Sequence, residues 1–348
     1  MLLEKATGKI GEREDDRRRI YVVRDSTWLK SISERWWGFA SAGDLESAWR
    51  VSDELLGAKI DLSHLPTHCR PIWDGRDPVG QPVAIRCWRG LGDAIQWVRY
   101  VPLLRKKASY LIVECESPLL PLFRAVDGFD ELLALEREAA NFPDVVGIES
   151  TELPYVFRTT LDSIPNEVPY LHFSQAPKKS YSPQVGVCWQ GGTYDPRRSI
   201  PLRELAPVFE LQNVELFQLQ RGPARNQMEE FPLLFVNAAD NSPSLLDTAA
   251  LVQQMDLIIT VDTMVAHLAG ALGRPVWTLL HSEPDWRWFQ NRTDSPWYPT
   301  MRLFRQAAPS DWKTVIKEVR AALLTWSRSF GSINPPGTAV HWQAKRPY

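Results

Sequence analysis

Residues 257–288, LIITVDTMVAHLAGALGRPVWTLLHSEPDWRW, decide the predicted fold of this chain. Their first five residues form a short apolar run that is typical of a buried parallel strand. Asp262 and Thr263 follow that run, and because both are helix N-cap residue types, a helix is predicted over 263–272. Gly273 ends the helix, and a proline then opens the next strand. A helix that starts at the carboxyl end of a parallel strand is a ready anion-binding site.

The same alternation of apolar runs and helical patterns extends outward through most of the chain. Strands are predicted at 82–88, 111–116, 145–150, 185–190, 214–220, 233–239 and 301–306, and helices at 93–106, 118–126, 202–210, 244–255 and 311–328. This alternation predicts βαβ units and parallel sheets. A polar, proline-containing stretch at 174–184 divides the pattern into two halves, so it is the expected linker.

The N-terminal residues do not fit this alternation. Residues 1–25 are rich in charge, and 26–57 predict two helices joined by a Gly-Asp turn. Phe39, Gly43 and Ala48 fall at tetratricopeptide-like spacing, so the segment is interpreted as a repeat-like helical hairpin and a candidate protein contact. Because about three repeats are needed for a stable solenoid, we expect this hairpin to pack on the first domain.

Composition places the chain among globular proteins without a membrane span. Of its 348 residues, 44% are hydrophobic and 24% are charged, and the net charge of -2 argues against broad nucleic-acid or membrane affinity. No apolar run approaches the about 18–20 residues of a membrane helix, and the N-terminus lacks the apolar part of a signal peptide. The four cysteines form no CxxC pair, so buried reduced thiols and a cytoplasmic location are expected rather than a zinc site.

Two turns in the second half suit a diphosphate. In CWQGGTYDPRRSIP (188–201), Gly191 and Gly192 leave a strand and Arg198, with its neighbour Arg197, precedes a helix. The alternative is a solvated basic loop with a serine cap. In the opening stretch, His267 lies one turn after Thr263 and shares its helix face, where it could add a donor to the anion site.

A third turn, RGLGD at 89–93, follows a strand and opens a helix in the first half. Gly90 and Gly92 allow a sharp turn and a close approach of the backbone to a ligand. Asp93 either faces the cleft between the halves or caps the helix. A dinucleotide fingerprint is a rival interpretation, with Glu114 or Glu116 on the ribose, but Ile95 stands where that motif needs its third glycine.

Three blocks of this sequence resemble heptosyltransferase-like (family 9-like) bacterial glycosyltransferases, of the type often fused to tetratricopeptide repeats. The blocks are RGLGDAIQWVRYVPLL (89–104), VGVCWQGGTYDPRRSIPLRELAP (185–207), and the opening stretch with SPWYPTMRLFRQ (295–306). The resemblance implies a GT-B architecture, an α/β fold of two Rossmann-like doubly wound domains that face a cleft. The expected parts are a tail and hairpin (1–58), an acceptor domain (59–176), a nucleotide-sugar domain (183–308), a helix packing back towards the first half (309–330) and an irregular tail (331–348).

The family implies transfer of a sugar from a nucleoside-diphosphate sugar to an acceptor hydroxyl, inverting and without a metal or cofactor. Asp93 is then the candidate base, in an acceptor-side turn with Gly90, Gly92 and Gln96. The implied donor and phosphate residues are Gly191, Gly192, Arg198, Asp262, Thr263, Met264 and His267. The implied base- and sugar-binding residues are Gln218, Gln220, Arg221, Asp285 and Arg287, although the last two could simply form an ion pair. The sequence departs from the family at Met264, where heptosyltransferases usually carry glycine, and at Gly192, which replaces an asparagine.

Several alternatives stay open at this stage. The acceptor could be a glycan, a glycolipid or a protein side chain, and a lipid-borne acceptor would require peripheral contact with the inner membrane. A non-catalytic GT-B partner that binds proteins through 26–57, or a nucleotide-sugar epimerase or hydrolase on the same fold, would also fit. His281 and Glu283, at the end of the strand before PDWRW, receive no role.

Overall fold

The computed structural model describes residues 26–60, 71–135, 144–172, 182–210, 214–231, 235 and 244–333. The charged tail, most of the expected linker and all but one residue of the predicted strand 233–239 lie outside these described residues. The domain bounds given above therefore remain predictions.

The first half contains a parallel sheet of four described strands in the order β3-β2-β1-β4. These strands are β1 (Pro82–Cys87), β2 (Tyr110–Cys115), β3 (Glu131–Ala134) and β4 (Val146–Glu149). The predicted helix 93–106 is split by a 3-10 turn, and the helices are α3 (Leu91–Trp97), α4 (Val101–Arg105), α5 (Leu120–Phe123) and α6 (Leu153–Val156). β3 was not predicted, because four residues that are half-exposed give no clear period.

The second half contains a sheet in the order β6-β5-β7-β8-β10-β9, parallel except for β9. Its strands are β5 (Gln184–Cys188), β6 (Glu215–Gln218), β7 (Leu257–Val261), β8 (Val276–Leu280), β9 (Asp294–Ser295) and β10 (Tyr298–Arg305), and its helices are α7 (Leu202–Leu205), α8 (Leu245–Gln254), α9 (Met264–Ala271) and α10 (Trp312–Ile333). The direction of winding reverses between β5 and β7. The carboxyl ends of the strands at such a reversal form the crevice in which open α/β sheets bind ligands.

One hydrophobic core joins the two sheets. It runs from β1 and β2 through α3 and α9 to the aromatic residues of the PDWRW loop, 284–288. A second cluster fills the other face of the second sheet beneath α7 and α10. Every residue of β7 and β8 is buried, as their continuous apolar runs predict.

The predicted helical hairpin is confirmed as α1 (Ser26–Ala42) and α2 (Leu45–Gly57). The indole of Trp49 donates a 2.7 Å hydrogen bond to the Thr159 carbonyl, which fixes the hairpin on the first half. Trp36 meets Trp286 of the PDWRW loop edge to face at 5.5 Å, so the hairpin also covers the second half. These two tryptophans therefore serve packing within the chain and are not free for a protein partner.

The last helix, α10, packs on the second sheet. Its buried residues Val315, Val319 and Leu323 belong to the cluster on that sheet's outer face, and Arg320 donates to the Pro207 carbonyl. We expected this helix to pack back towards the first half, but its buried residues pack on the second sheet instead. It also continues to residue 333, beyond the predicted end. Within the described ranges, no helix is at once long and apolar enough to cross a bilayer.

Candidate active site

The turn at 262–264 joins β7 to α9, at the point where the second sheet reverses its winding. Because the implied donor residues Asp262, Thr263 and Met264 form it, it is called the donor turn below. Thr263 is the N-cap as predicted, because its hydroxyl accepts a 3.1 Å hydrogen bond from the amide of Val265. Asp262 does not cap the helix. It is buried beside the turn, and burial raises the pKa of its carboxyl while Arg198 and Arg287 oppose that rise. The first turn of α9 thus offers backbone N–H groups to an anion at the expected place.

The structure distinguishes the two arginines that follow β5. Arg198 is buried and its Nη1 donates a 3.1 Å hydrogen bond to the carbonyl of Asp262, so it lies against the donor turn. Arg197 points away into an exposed network, with Asp195 and Glu283 each 2.9 Å from its guanidinium. Of these two arginines, Arg198 is the one positioned to share an anion with the N-terminus of α9.

The glycines of the second turn make room for this arrangement. A Cβ on Gly191 would lie 3.3 Å from the carbonyl oxygen of Asp262 and 3.6 Å from Cζ of Arg198, so the loop and the donor turn are in close contact. The ring of Tyr194 lies 4.0 Å from Cζ of Arg198 and is 62% exposed. Tyr194 was not among the predicted site residues, although a large aromatic residue in a Gly-rich loop was the available signal.

His267 is a buried, neutral imidazole. Its Nδ1 lies 3.0 Å from the hydroxyl of Tyr298, and its ring stacks on Trp288. Burial, together with the charges of Arg287 and other nearby arginines, holds its pKa well below the usual range. With Nδ1 accepting from Tyr298, Nε2 would carry the proton and lies 4.0 Å from a carboxylate oxygen of Asp262. His267 can therefore offer one hydrogen bond near the donor turn but no positive charge.

The acceptor-side turn lies directly on the donor turn. A Cβ on Gly92 would approach Cδ2 of His267 to 2.9 Å and Cα of Met264 to 3.4 Å, which explains why glycine is required there. Gly90 is the N-cap of α3 with a φ of 141°, and no side chain caps this helix. The alternative role of Asp93 as a helix cap is therefore wrong.

Asp93 instead forms an ion pair across the cleft. Its Oδ1 lies 2.6 Å from Nη1 of Arg287 in the PDWRW loop, and 23% of the aspartate side chain remains exposed. The same Nη1 donates a 2.7 Å hydrogen bond to the fully buried Gln96, and Nε lies 2.8 Å from Asp285. Of the two possibilities left for Asp285 and Arg287, the structure favours the ion pair over direct contact with sugar hydroxyls.

The strand-end residues expected near the nucleotide base have structural tasks. The carboxamide oxygen of Gln220 accepts from the amides of Trp189 and Gln190, at 3.1 and 2.9 Å, and so fixes the loop after β5. Arg221 bonds the hydroxyl of Thr248. Gln218 is fully buried and cannot reach a base edge. The expected base-reading role of these side chains is not supported.

Two cavities flank the loop that carries Arg198. The larger, about 490 Å³, is lined by residues that include Gln190, Gly192, Ser199, Gln227 and Glu230. The smaller, about 250 Å³, contains the unassigned His281 and Glu283. The His281 ring accepts a 3.3 Å hydrogen bond from the Glu283 amide, and burial lowers its pKa.

The structure removes one of the two ribose-binding candidates of the rival dinucleotide interpretation. Ile95, where the third glycine of that motif would stand, is fully buried in the core, and Glu114 at the end of β2 is buried against Arg86 at 2.8 Å. Its carboxylate is therefore not available to a ribose.

Among the described residues no group of three or more metal-ligating side chains occurs, and metal independence stays a prediction.

Comparison with known proteins agrees with the family predicted from the three sequence blocks. Residues 242–309 match the family model of glycosyltransferase family 9 (heptosyltransferase). The chain is 25% identical over 293 residues to Protein FlbA of Caulobacter vibrioides, covering 74% of this chain and 48% of FlbA. The chain thus spans about half the length of that relative.

A solved structure has the same fold. The glycosyl transferase family 9 structure from Veillonella parvula superimposes with a TM-score of 0.53 at 12% identity, covering 73% of this chain and 98% of that one. The ADP-heptose lps heptosyltransferase II of E. coli gives 0.49 at 16% identity, covering 70% and 99%. The Veillonella parvula structure confirms the predicted GT-B architecture, and over residues 242–309 the chain is similar to glycosyltransferase family 9.

Proposed function

We propose that this chain is a glycosyltransferase that moves a sugar from a nucleoside-diphosphate sugar to an acceptor hydroxyl. The observation that carries the proposal is the pairing of the buried Arg198 with the N-terminus of α9, since Arg198 donates to the carbonyl of Asp262. Helix N–H groups and a buried guanidinium are complementary to a diphosphate. The family match over residues 242–309, which include α9, supports the same assignment.

In the proposed reaction, Arg198, Nε2–H of His267 and the amides of the first turn of α9 stabilise charge on the leaving diphosphate. The bond between the anomeric carbon and the phosphate oxygen breaks, and its electron pair leaves with the nucleoside diphosphate. The acceptor oxygen forms the new bond to that carbon from the opposite face, which inverts its configuration. Preorganised donors aimed at the developing charge are the largest contribution that such a site can make.

Asp93 is the proposed base in this reaction. It takes the proton of the acceptor hydroxyl as the new glycosidic bond forms. Its partly exposed carboxylate, on the turn packed against the donor turn, supports this role. The proposed reaction uses no metal and no cofactor. The proposed acceptor is a glycan, a glycolipid or a protein, and it reaches the enzyme in the cytoplasm or at the inner membrane surface.

A thermal-shift panel with ADP, UDP, GDP, CMP, dTDP and NAD tests donor binding. A ligand at 100 times its Kd stabilises the folded chain by about 2.7 kcal/mol, which is easily measured. We expect one nucleoside diphosphate to raise the melting temperature. Radioactive or mass-labelled transfer from the matching sugar nucleotides to candidate acceptors then tests the reaction.

The neighbouring arginines provide a matched pair of variants. Arg198→Gln removes a charge-assisted contact to phosphate, which is worth about 1.5–3 kcal/mol, so the Kd for the diphosphate should rise by about tenfold to 100-fold. Arg197→Gln removes an equal charge one residue away, where the side chain is 54% exposed and bonded to acidic residues, and should leave the Kd almost unchanged. Equal effects in both variants, or a response to NAD alone, would contradict the proposed donor site.

A further inference from the structure

Arg287 connects the candidate base, Asp93, with the half of the chain that holds the donor turn. Its Nη1 lies 2.6 Å from Asp93 and 2.7 Å from the carboxamide oxygen of Gln96, both on α3 of the first half. Its Nε lies 2.8 Å from Asp285, which belongs to the PDWRW loop of the second half. The guanidinium thus spans the cleft at the level of Asp93.

The surroundings hold Arg287 in this position. It is 8% exposed, and its guanidinium lies 5.4 Å from the ring of Trp97. Although burial lowers the pKa of the guanidinium, the carboxylates of Asp285 and Asp93 raise it well above its usual value. A buried guanidinium with two carboxylates and an amide around it has few alternative rotamers, because leaving them would strand buried charge.

The loop that carries Arg287 is itself anchored to both halves. The indole of Trp297 donates to the carbonyl of Arg287 at 2.9 Å, and Trp297 packs edge to face on Trp97 of α3 at 5.0 Å. Trp286 stacks on the same Trp97 ring at 6.0 Å and meets the hairpin residue Trp36 edge to face at 5.5 Å. Docking of this aromatic loop on α3 therefore decides where the guanidinium lies.

We infer that Arg287 is a positioning residue for Asp93, which places the base in the cleft only while the PDWRW loop is docked on α3. The inference rests on the proposed function. The ion pair holds one carboxylate oxygen in a fixed direction and leaves part of the side chain exposed for the acceptor hydroxyl. Correct orientation of a base is worth large factors in rate, because small displacements remove the hydrogen bond to the reacting proton.

The test compares nucleotide affinity with the rate of transfer in the full-length chain. Arg287→Gln removes the charge and Arg287→Lys retains it, whereas Arg292→Gln is the control, since Arg292 forms an exposed pair with Asp294 at 2.6 Å. In Arg287→Gln, we expect kcat to fall about 100-fold while the Kd for the nucleoside diphosphate changes less than about threefold. Arg287→Lys should recover about tenfold of that loss, and Arg292→Gln should behave as wild type.

A double-mutant cycle with Asp93→Asn separates positioning from other roles. If Arg287 acts through Asp93, adding Arg287→Gln to Asp93→Asn should lower kcat by less than about threefold further. An equal loss in both backgrounds would overturn the inference, and so would a rise of about tenfold in the nucleotide Kd, because Arg287 would then bind the donor. If the wild type transfers the sugar and the Arg287 variants keep its kcat, the inference about Arg287 is refuted but the proposed function is not. Nucleotide binding without any transfer by the wild type would instead refute the proposed function, together with this role.

Discussion

Replacement of Gly270 by alanine tests how closely α9 packs on β10 behind the donor turn. A Cβ on Gly270 would overlap Cδ1 of Tyr298 and lie 2.7 Å from two further ring atoms. Because carbon atoms pack at about 3.5–4.0 Å, the ring or the helix must move by about 1 Å. Tyr298 is fully buried, bonded to His267 and covered by the guanidinium of Arg99 at 4.4 Å, so the ring has no free direction.

Two opposing effects set the size of the change. Overpacking in a buried site costs about 1–3 kcal/mol, whereas alanine is favoured over glycine within a helix by about 1 kcal/mol. We therefore expect Gly270→Ala to lower the free energy of unfolding by up to about 2 kcal/mol. At about 2.1 cal/mol/K of unfolding entropy per residue, that corresponds to a fall of up to about 3 °C in melting temperature for a chain of this size.

Differential scanning calorimetry of Gly270→Ala beside Gly38→Ala measures this effect. Gly38 lies in α1, and a Cβ there would meet nothing within 4 Å, so alanine should raise the melting temperature by about 1–2 °C. The affinity for the nucleoside diphosphate should also fall in Gly270→Ala, since Tyr298 holds His267. A melting temperature for Gly270→Ala at or above that of Gly38→Ala would refute the close packing on which this reasoning depends.

Three further predictions concern buried polar groups. Gln220→Met should lower stability by about 2–4 kcal/mol, because two backbone amides lose their acceptor. Gln218→Met should be neutral or stabilising, since its amide has no hydrogen-bond partner in the described part of the chain. Urea denaturation measures both, and a loss of stability in Gln218→Met as large as that in Gln220→Met would contradict this assignment. The pKa of His267 in the folded chain lies below its unfolded value of about 6.5. The contribution of His267 to stability is therefore complete above that pH and is lost by about 1.4 kcal/mol per pH unit below it. We expect His267→Gln to flatten the melting-temperature profile between about pH 5 and 7, and an unchanged slope would contradict the neutral imidazole. Trp49→Phe should lower stability by about 1–3 kcal/mol, because the Thr159 carbonyl loses its donor. Thermal melting measures this loss. As the control, Phe39→Leu should change stability by less than about 0.5 kcal/mol, because Phe39 is exposed.

The sequence by itself determined the features that depend on near neighbours in the chain. The apolar run of β7, the cap at Thr263 and the glycine after α9 lie within 17 residues of one another, and each acts through local backbone geometry or period. The hairpin was predicted for the same reason. β3 was missed because a short, half-exposed strand acquires its identity from pairing with β2.

Only the tertiary structure decided what the site residues contact. Arg197 and Arg198 are neighbouring residues of the same type, so the sequence does not distinguish them. In the structure Arg198 is buried against the Asp262 carbonyl, whereas Arg197 pairs with Glu283. The partner of Asp93 is Arg287, far along the chain, and no local pattern predicts that ion pair. The charge of His267 likewise depends on desolvation and on arginines brought from other elements. Distances and pKa values at the site are set by long-range packing, because the energy of a charge depends on everything that replaces water around it.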